Sequence, residues 1–391
     1  MKIWIGVVII GVIAIFLGWP QPTMDWENDI YPLAHKFMGL PTTSSSLTTP
    51  LKDAVVVVTG ATSGIGLSLT QTLIKMGATV IAIGRSQTKL SKLQEETKQE
   101  PGVVVPFLAN LNDLSSVAKT SDDIRKKFKR IDVLVNNAGM HYGAIAWNER
   151  TNAQNFDESF GVNYLSHFLL TEKLLPSLKK SSKLATIVQV SSSFHWAVDG
   201  SDLVPTADGK QPPKASVFGN SPLPWRTQRA YANSKLAQLL HSRALVRQPG
   251  FPNHVRVVNV CPGWVGTQIA GPKGTPGQIL LNMFAFPSNG WGLSSLLHAM
   301  FDRTNDDKGD FYINAGIFGI FSKSFPRVLH RPWAMKTCVR DFIVMVSSQF
   351  VLHAQKFSAN VVQVRSSPES YNIAAQDSLY RWSKEAIAKW L

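Results

Sequence analysis

Val55-Val56-Val57-Val58-Thr59-Gly60-Ala61-Thr62-Ser63-Gly64-Ile65-Gly66 is the stretch whose reading decides the fold. An unbroken apolar run of this kind reads as a strand of a parallel sheet, buried on both faces. The glycines after it let the backbone turn sharply into a helix and approach a ligand without interference from a Cβ. A helix N-terminus presents free N–H groups and the positive end of a dipole, so a pyrophosphate is suited to that place. The spacing GxxxGxG differs from the GxGxxG of the commonest dinucleotide fingerprint. The plainer alternative is a tight strand–helix turn with no ligand.

Strand and helix patterns alternate outward from this stretch. Strands are expected near residues 54–59, 78–83, 103–108, 131–135, 185–190 and 255–260, with a further strand region at 309–313. Helices are expected near 64–76, 88–98, 114–129, 157–178 and 229–247. Such alternation predicts an α/β fold: a doubly wound parallel sheet of the Rossmann type, covered on both faces. The sequence contains no internal repeat.

Tyr231-Ala232-Asn233-Ser234-Lys235 places a tyrosine and a lysine four apart, on one face of a helix. A free phenol has a pKa of about 10 and is a poor acid–base near neutrality until a nearby cation lowers it. Lys235 is the cation expected to do so; the plainer alternative is a half-buried tyrosine beside a surface lysine. Two further segments end apolar strands: Asn136-Asn137-Ala138-Gly139 and Ser191-Ser192-Ser193. Taken together, TGATSGIG, NNAG, the serine strand end, YANSK and Pro262-Gly263-Trp264-Val265-Gly266-Thr267 resemble the short-chain dehydrogenase/reductase family. The resemblance covers about residues 51–314. It resumes at Ala375-Gln376-Asp377-Ser378-Leu379-Tyr380-Arg381-Trp382-Ser383, which looks like the closing helix of the retinol-dehydrogenase-like branch.

The resemblance implies a nicotinamide cofactor and a set of roles. Tyr231 would move the proton, Ser192 would hold the substrate oxygen, and Lys235 would hold the nicotinamide ribose and lower the tyrosine pKa. Ser192 is preferred to Ser191 and Ser193 because the family's serine takes the second place in that element. Asn163 matches the family's asparagine that orders a water in the proton relay; the alternative is a polar residue at a local kink. The cofactor would be lined by Gly60, Ser63, Gly64, Ile65, Gly66, Arg85, Asn110, Leu111, Asn137, Ala138, Gly139, Tyr231, Lys235, Pro262, Gly263, Val265 and Thr267. At the end of the second strand, NAD-specific members place an acid that would repel a 2′-phosphate. Arg85 stands there instead, so NADP is the expected cofactor. The alternative is an arginine stacked on adenine. Asn110-Leu111 replaces the family's Asp-Leu pair, with Asp113 the matching acid if the register shifts. His141, Phe194, Trp225 and Trp264 flank the motifs as candidate pocket walls, though such aromatics more often belong to a core.

The remaining features bear on location and partners. The 391 residues carry a net charge of +14, which suits anionic partners. No nucleic-acid module accompanies the charge, so a nucleotide phosphate and anionic lipid headgroups account for it. Two cysteines, Cys261 and Cys338, make neither a disulfide framework nor a metal site. The absence of an N-x-S/T acceptor leans with them toward a cytosol-like compartment. Ile3–Trp19 is uncharged and apolar, and as a helix would span roughly 25 Å. It reads as a retained N-terminal transmembrane anchor over residues 1–20, suited to a thin membrane such as the endoplasmic reticulum. A cleaved signal peptide is the rival, and Lys2 alone votes for a cytosolic N-terminus, against the cysteine and glycosylation hints. Residues 21–50 read as a linker, and 366–391 as a helix closing on the catalytic domain. Residues 315–365 read as an insertion with seven basic side chains and one acid, Asp341. Its short apolar runs, 317–321 and 342–346, suit the membrane interface, a lid, or ordinary packing on the core. The expected partners are a lipophilic small molecule (a retinoid, sterol, carotenoid or fatty aldehyde), a membrane and a second copy of the chain. The alternative function is a membrane-tethered NADP-binding scaffold that docks a partner through residues 315–365.

Overall fold

The computed structural model describes residues 30–39, 49–141, 150–182, 184–203, 225–263, 265, 291–302, 311–314, 361–364 and 366–391. Its centre is an eight-stranded sheet in the order β3-β2-β1-β4-β5-β6-β7-β8. The strands are β1 (Val55–Thr59), β2 (Thr79–Gly84), β3 (Val103–Leu108), β4 (Val133–Asn136), β5 (Ala185–Val190), β6 (Val255–Cys261), β7 (Phe311–Asn314) and β8 (Val361–Val364). β1 to β7 are mutually parallel, and β8 pairs antiparallel with β7 at the edge. The order reverses beside β1, which pairs with β2 on one side and β4 on the other. In open α/β sheets ligands bind at this switch, outside the carboxyl ends of the strands.

Alternation along each strand sends neighbouring residues to opposite faces. Val57, Ile81, Leu134, Ile187 and Val257 enter one core. It is covered by α4 (Leu114–Lys127), α5 (Ser166–Leu178), α6 (Trp225–Val246) and α8 (Ile373–Ala386). Val56, Val58, Val80, Ala82, Val135, Val188 and Val258 enter the other. That face is covered by α1 (Tyr31–Met38), α2 (Gly64–Lys75), α3 (Gln87–Glu96) and α7 (Trp291–Phe301). Each such valine, leucine or isoleucine side chain, fully buried, contributes roughly 1.5–3 kcal/mol. Because both faces need apolar residues, the strands read as continuous runs.

Two elements depart from the expected organisation. Helix α1 lies inside the range read as linker. Ile30, Ala34 and Phe37 are buried, and the Phe37 ring meets Phe301 at 5.3 Å. Strand β8 lies inside the range read as insertion. Val361-Val362-Gln363-Val364 extends the sheet against β7, so the insertion's tail belongs to the catalytic fold. Residues 1–29, including the expected anchor, lie outside the described residues. So do 315–360 and Arg365, with the basic side chains and apolar runs of the insertion. Among the described residues no helix is long and apolar enough to cross a membrane.

The C-terminal helix α8 packs on α5 and α6. The Tyr380 hydroxyl donates to Glu172 (2.7 Å), and Lys384 pairs with the same carboxylate at 3.0 Å. Tyr164 and Ser383 share a buried hydrogen bond of 2.8 Å.

Candidate active site

The carboxyl ends of β1, β4, β5 and β6 lie side by side, and each carries one expected motif. β1 runs into Gly60, whose φ of +68° favours glycine. A Cβ on Gly60 would press within 3.2 Å of Ala138 and Asn137. A Cβ on Gly66 would overlap the Gly60 carbonyl oxygen. Both positions therefore demand a bare backbone. Ser63, at the N-cap of α2, makes no capping hydrogen bond, so no side chain there claims the helix's first N–H groups. A cradle closed to side chains, opening on an uncapped twelve-residue helix at the switch point, fits a dinucleotide phosphate.

Thr59 ties this turn to the next. Its Oγ1 accepts from the Asn137 and Ala138 amides, each at 2.9 Å, and its carbonyl accepts from Asn137 Nδ2 at 2.8 Å. His167 sits 2.9 Å from the same Oγ1 through Nε2, while its Nδ1 lies 3.0 Å from the Asn163 carbonyl. A carbonyl only accepts, so Nδ1 carries the hydrogen and Nε2 accepts from the threonine hydroxyl. Burial pushes the His167 pKa down to about 4, which keeps that neutral tautomer. Thr59 and His167 were not among the expected site residues. A polar residue closing a run of valines was the available signal for the first, and none marked the second.

Asn163 lies in a π-turn, Gly161–Leu165, that leads into α5. Its Oδ1 accepts from the Met140 amide (2.8 Å), and its Nδ2 donates to the Met140 carbonyl (2.9 Å) and Ser234 Oγ (3.0 Å). Its own carbonyl accepts from His167 and from Gln238 Nε2 (2.9 Å). These contacts make Asn163 a clamp on the loop after Gly139. Ser234 in turn donates to the Tyr231 carbonyl at 2.7 Å.

Ser192, Tyr231 and Lys235 come together. Ser192 follows β5 and caps a 3-10 turn, Ser193–Ala197; its Oγ accepts from the Phe194 amide (3.3 Å) and acts on the Tyr231 phenol to lower its pKa. Its neighbour Ser191 instead faces inward, donating to the Lys235 carbonyl at 3.0 Å. Lys235 is buried, donates to the Val190 carbonyl at 2.8 Å and lies 5.4 Å over the Tyr231 ring. His141 and Phe194 stand edge-on to the same ring at 4.9 and 5.9 Å. Phe194 is exposed rather than core. Trp225 begins α6.

The electrostatics correct one expectation. Burial, not Lys235, is the largest influence on the Tyr231 phenol; it pushes the pKa well above the usual value, opposed by the nearby Ser192 hydroxyl. The ring keeps partial exposure, but its hydroxyl is surrounded by protein. Burial also pushes Lys235 down to about 7. A cation driven toward neutrality is a weak lever on its neighbour. Cys261, also buried, interacts electrostatically with both groups and accepts from the Ser193 amide at 3.4 Å.

Other expected residues lie beyond the ends of β2, β3, β4 and β6. Arg85 is exposed just past β2 and pairs with no described residue. Asn110 follows β3 and forms a local turn, its Oδ1 accepting from the Asn112 amide at 3.1 Å. Asp113 caps α4 and accepts from Gln154 Nε2 (2.9 Å), so it is engaged in structure. Leu111 packs on the core, and Gly139 is exposed. Pro262 and Gly263 follow β6, with Gly263 at φ +82°. Val265 and Ile65 pack over Gly292, bringing that loop against the glycine-rich turn. Trp264 and Thr267 lie outside the described residues.

Comparison with known proteins accords with this geometry. A family model described as short chain dehydrogenase matches residues 54–196. Polyprenol dehydrogenase of Danio rerio is 32% identical over 300 residues, covering 73% of this chain and 84% of that protein. The human polyprenol dehydrogenase is 35% identical over 231 residues; the match covers 56% of this chain and 63% of that protein, less than two thirds of its length. Retinol dehydrogenase 14 of Mus musculus is 32% identical, over 55% of this chain and 62% of that protein. The crystal structure of an uncharacterised protein from Mycobacterium Paratuberculosis shares the fold, with a TM-score of 0.54 at 22% identity, covering 85% of this chain and 93% of that one. With its motifs gathered at the switch point and relatives of this extent, the chain belongs to the short-chain dehydrogenase/reductase family, oxidoreductases of alcohol and carbonyl groups, and resembles the retinol-dehydrogenase-like branch.

Proposed function

We propose that the protein is a membrane-anchored, NADP-dependent oxidoreductase acting on a lipophilic alcohol or carbonyl. The observation that carries the reading is the grouping of Ser192, Tyr231 and Lys235, with the lysine 5.4 Å over the tyrosine ring, beside a glycine-lined turn that fits a phosphate. The nicotinamide, when bound, supplies or accepts the hydride. The chain's own residues do the rest. The turn at Gly60–Gly66 and the N-terminus of α2 would hold the pyrophosphate, and Lys235 the ribose. Ser192 and Tyr231 would share the substrate oxygen. Burial keeps the phenol neutral, the form that gives a proton to a carbonyl oxygen during reduction. Ser192 would steady charge developing on that oxygen.

Three finer points complete the proposal. Arg85, exposed past β2, favours a 2′-phosphate and hence NADP. The aromatic rings of His141 and Phe194 beside Tyr231 suit an apolar substrate, in keeping with relatives named for polyprenol and retinol. The apolar run Ile3–Trp19 would hold the enzyme at the membrane where such substrates reside.

Paired titrations with NADPH and NADH, followed by a panel of lipophilic aldehydes and alcohols, test this reading. Arg85→Ala should weaken NADPH by about ten- to a hundred-fold, the scale of a charged hydrogen bond, and leave NADH nearly unchanged. A wild type that prefers NADH would remove the NADP assignment. Bound NADPH without turnover on any member of the panel would remove the enzymatic one.

A further inference from the structure

His195 is fully buried in the 3-10 turn that Ser192 caps. Its Nδ1 lies 2.6 Å from the Ser192 carbonyl, and its Nε2 lies 3.1 Å from the Ser367 amide. The carbonyl only accepts and the amide only donates, so both nitrogens are assigned: Nδ1 carries the hydrogen and Nε2 the lone pair. A second proton would set two donors against each other at Ser367. Burial accordingly pushes the His195 pKa down to about 4.

The bridge joins places 172 residues apart in sequence. On one side is the peptide that follows Ser192. Its carbonyl accepts from His195 Nδ1 and from the His195 amide (3.1 Å), while the N–H of the same peptide donates to Cys261 Sγ (3.4 Å). With both ends of that peptide fixed, the backbone that carries the Ser192 side chain is held in place. On the other side is the segment Ser366–Ser370, between β8 and α8. It is anchored independently: Ser366 accepts from Arg243 (3.1 Å), and Ser370 donates to the Ser367 carbonyl through its hydroxyl (2.7 Å). Gln376 Nε2 donates to the Ser370 carbonyl at 2.6 Å.

We infer that His195 is a positioning residue through which the segment after the C-terminal insertion, Ser366–Ser370, sets the orientation of Ser192 toward substrate. The inference rests on the reading of Ser192 as the group that holds the substrate oxygen. A local contact to Ser192 alone would be a feature of the turn. The Ser367 leg makes the seating of the C-terminal segment a condition of an ordered serine.

Ser367 offers a test that leaves the catalytic turn untouched. Its φ of −59° already suits proline, and its Oγ has no hydrogen-bond partner among the described residues. Ser367→Pro therefore removes the amide donor, whereas Ser367→Ala keeps it. In full-length protein with NADPH and a lipophilic aldehyde such as retinal, Ser367→Pro and His195→Leu should each lower kcat by about ten- to a hundred-fold. Cofactor Kd should be unchanged, the double variant no slower than either single one, and Ser367→Ala near wild type. Nitrogen-15 spectra of histidine-labelled protein give a readout independent of turnover. They should show His195 as the Nδ1–H tautomer near neutral pH, with the Nε2 resonance alone shifted in Ser367→Pro. Wild-type kcat in Ser367→Pro or His195→Leu beside an inactive Ser192→Ala overturns the inference alone, as does the opposite tautomer. Wild-type kcat in Ser192→Ala overturns the reading of the site, and the inference with it.

Discussion

Lys235 shows how much of this site's chemistry is set by burial at single residues. Its folded pKa of about 7 lies below the ordinary value of 10.5, so between those values the unfolded chain binds the extra proton. Stability then rises with pH, since it does so wherever the unfolded state holds more protons. Below pH 7 the buried lysine costs its full penalty; the cost fades as pH climbs toward 10.5. The protein without cofactor should therefore melt at a higher temperature at pH 9 than at pH 7, in thermal unfolding followed by circular dichroism. Lys235→Met should flatten that slope, and an equal slope in the variant would place its origin elsewhere. The direction of this shift was hidden in the sequence. YxxxK gives the spacing of Tyr231 and Lys235 but not that both heads are enclosed, and enclosure moves the tyrosine up and the lysine down. His167 and His195 were hidden for the same reason: a lone histidine carries no pattern, and its meaning comes from partners 108 and 172 residues away.

At the scale of elements, six strands lay close to where their valine-rich runs predict, because a parallel sheet needs apolar side chains on both faces. The short pieces were not legible. Helix α1 has eight residues, sits among proline- and serine-rich sequence, and gains its stability from docking rather than from length. Strand β8 has four residues and is fixed by its pairing with β7. Helix α7 lies where the sequence predicts no helix, although its Leu293, Leu296, Leu297 and Phe301 are buried. If α1 is part of the fold, Phe37→Ala should lower stability by about 3–5 kcal/mol, the usual cost of truncating a buried phenylalanine. Urea unfolding of the variant measures this. A change below about 0.5 kcal/mol would make α1 a loosely attached arm.

The whole molecule places a glycine-lined turn, the Ser192, Tyr231 and Lys235 side chains, and the rings of His141 and Phe194 at one end of a doubly wound sheet. The proposed anchor belongs to this scale, because it decides which substrates the cradle meets. Full-length protein should stay with membranes through high salt and alkaline carbonate, since a spanning helix is held by burial. Protein lacking residues 1–20 should lose that resistance. Carbonate release of the full-length chain would contradict the anchor and leave the catalytic account standing. The catalytic account itself turns on one hydroxyl. In a single turnover of NADPH with a lipophilic aldehyde, Tyr231→Phe should slow nicotinamide oxidation by about 10²–10⁴-fold while NADPH binds with wild-type affinity. A rate in Tyr231→Phe near that of the wild type would contradict Tyr231 as the proton donor, and with it the proposed mechanism.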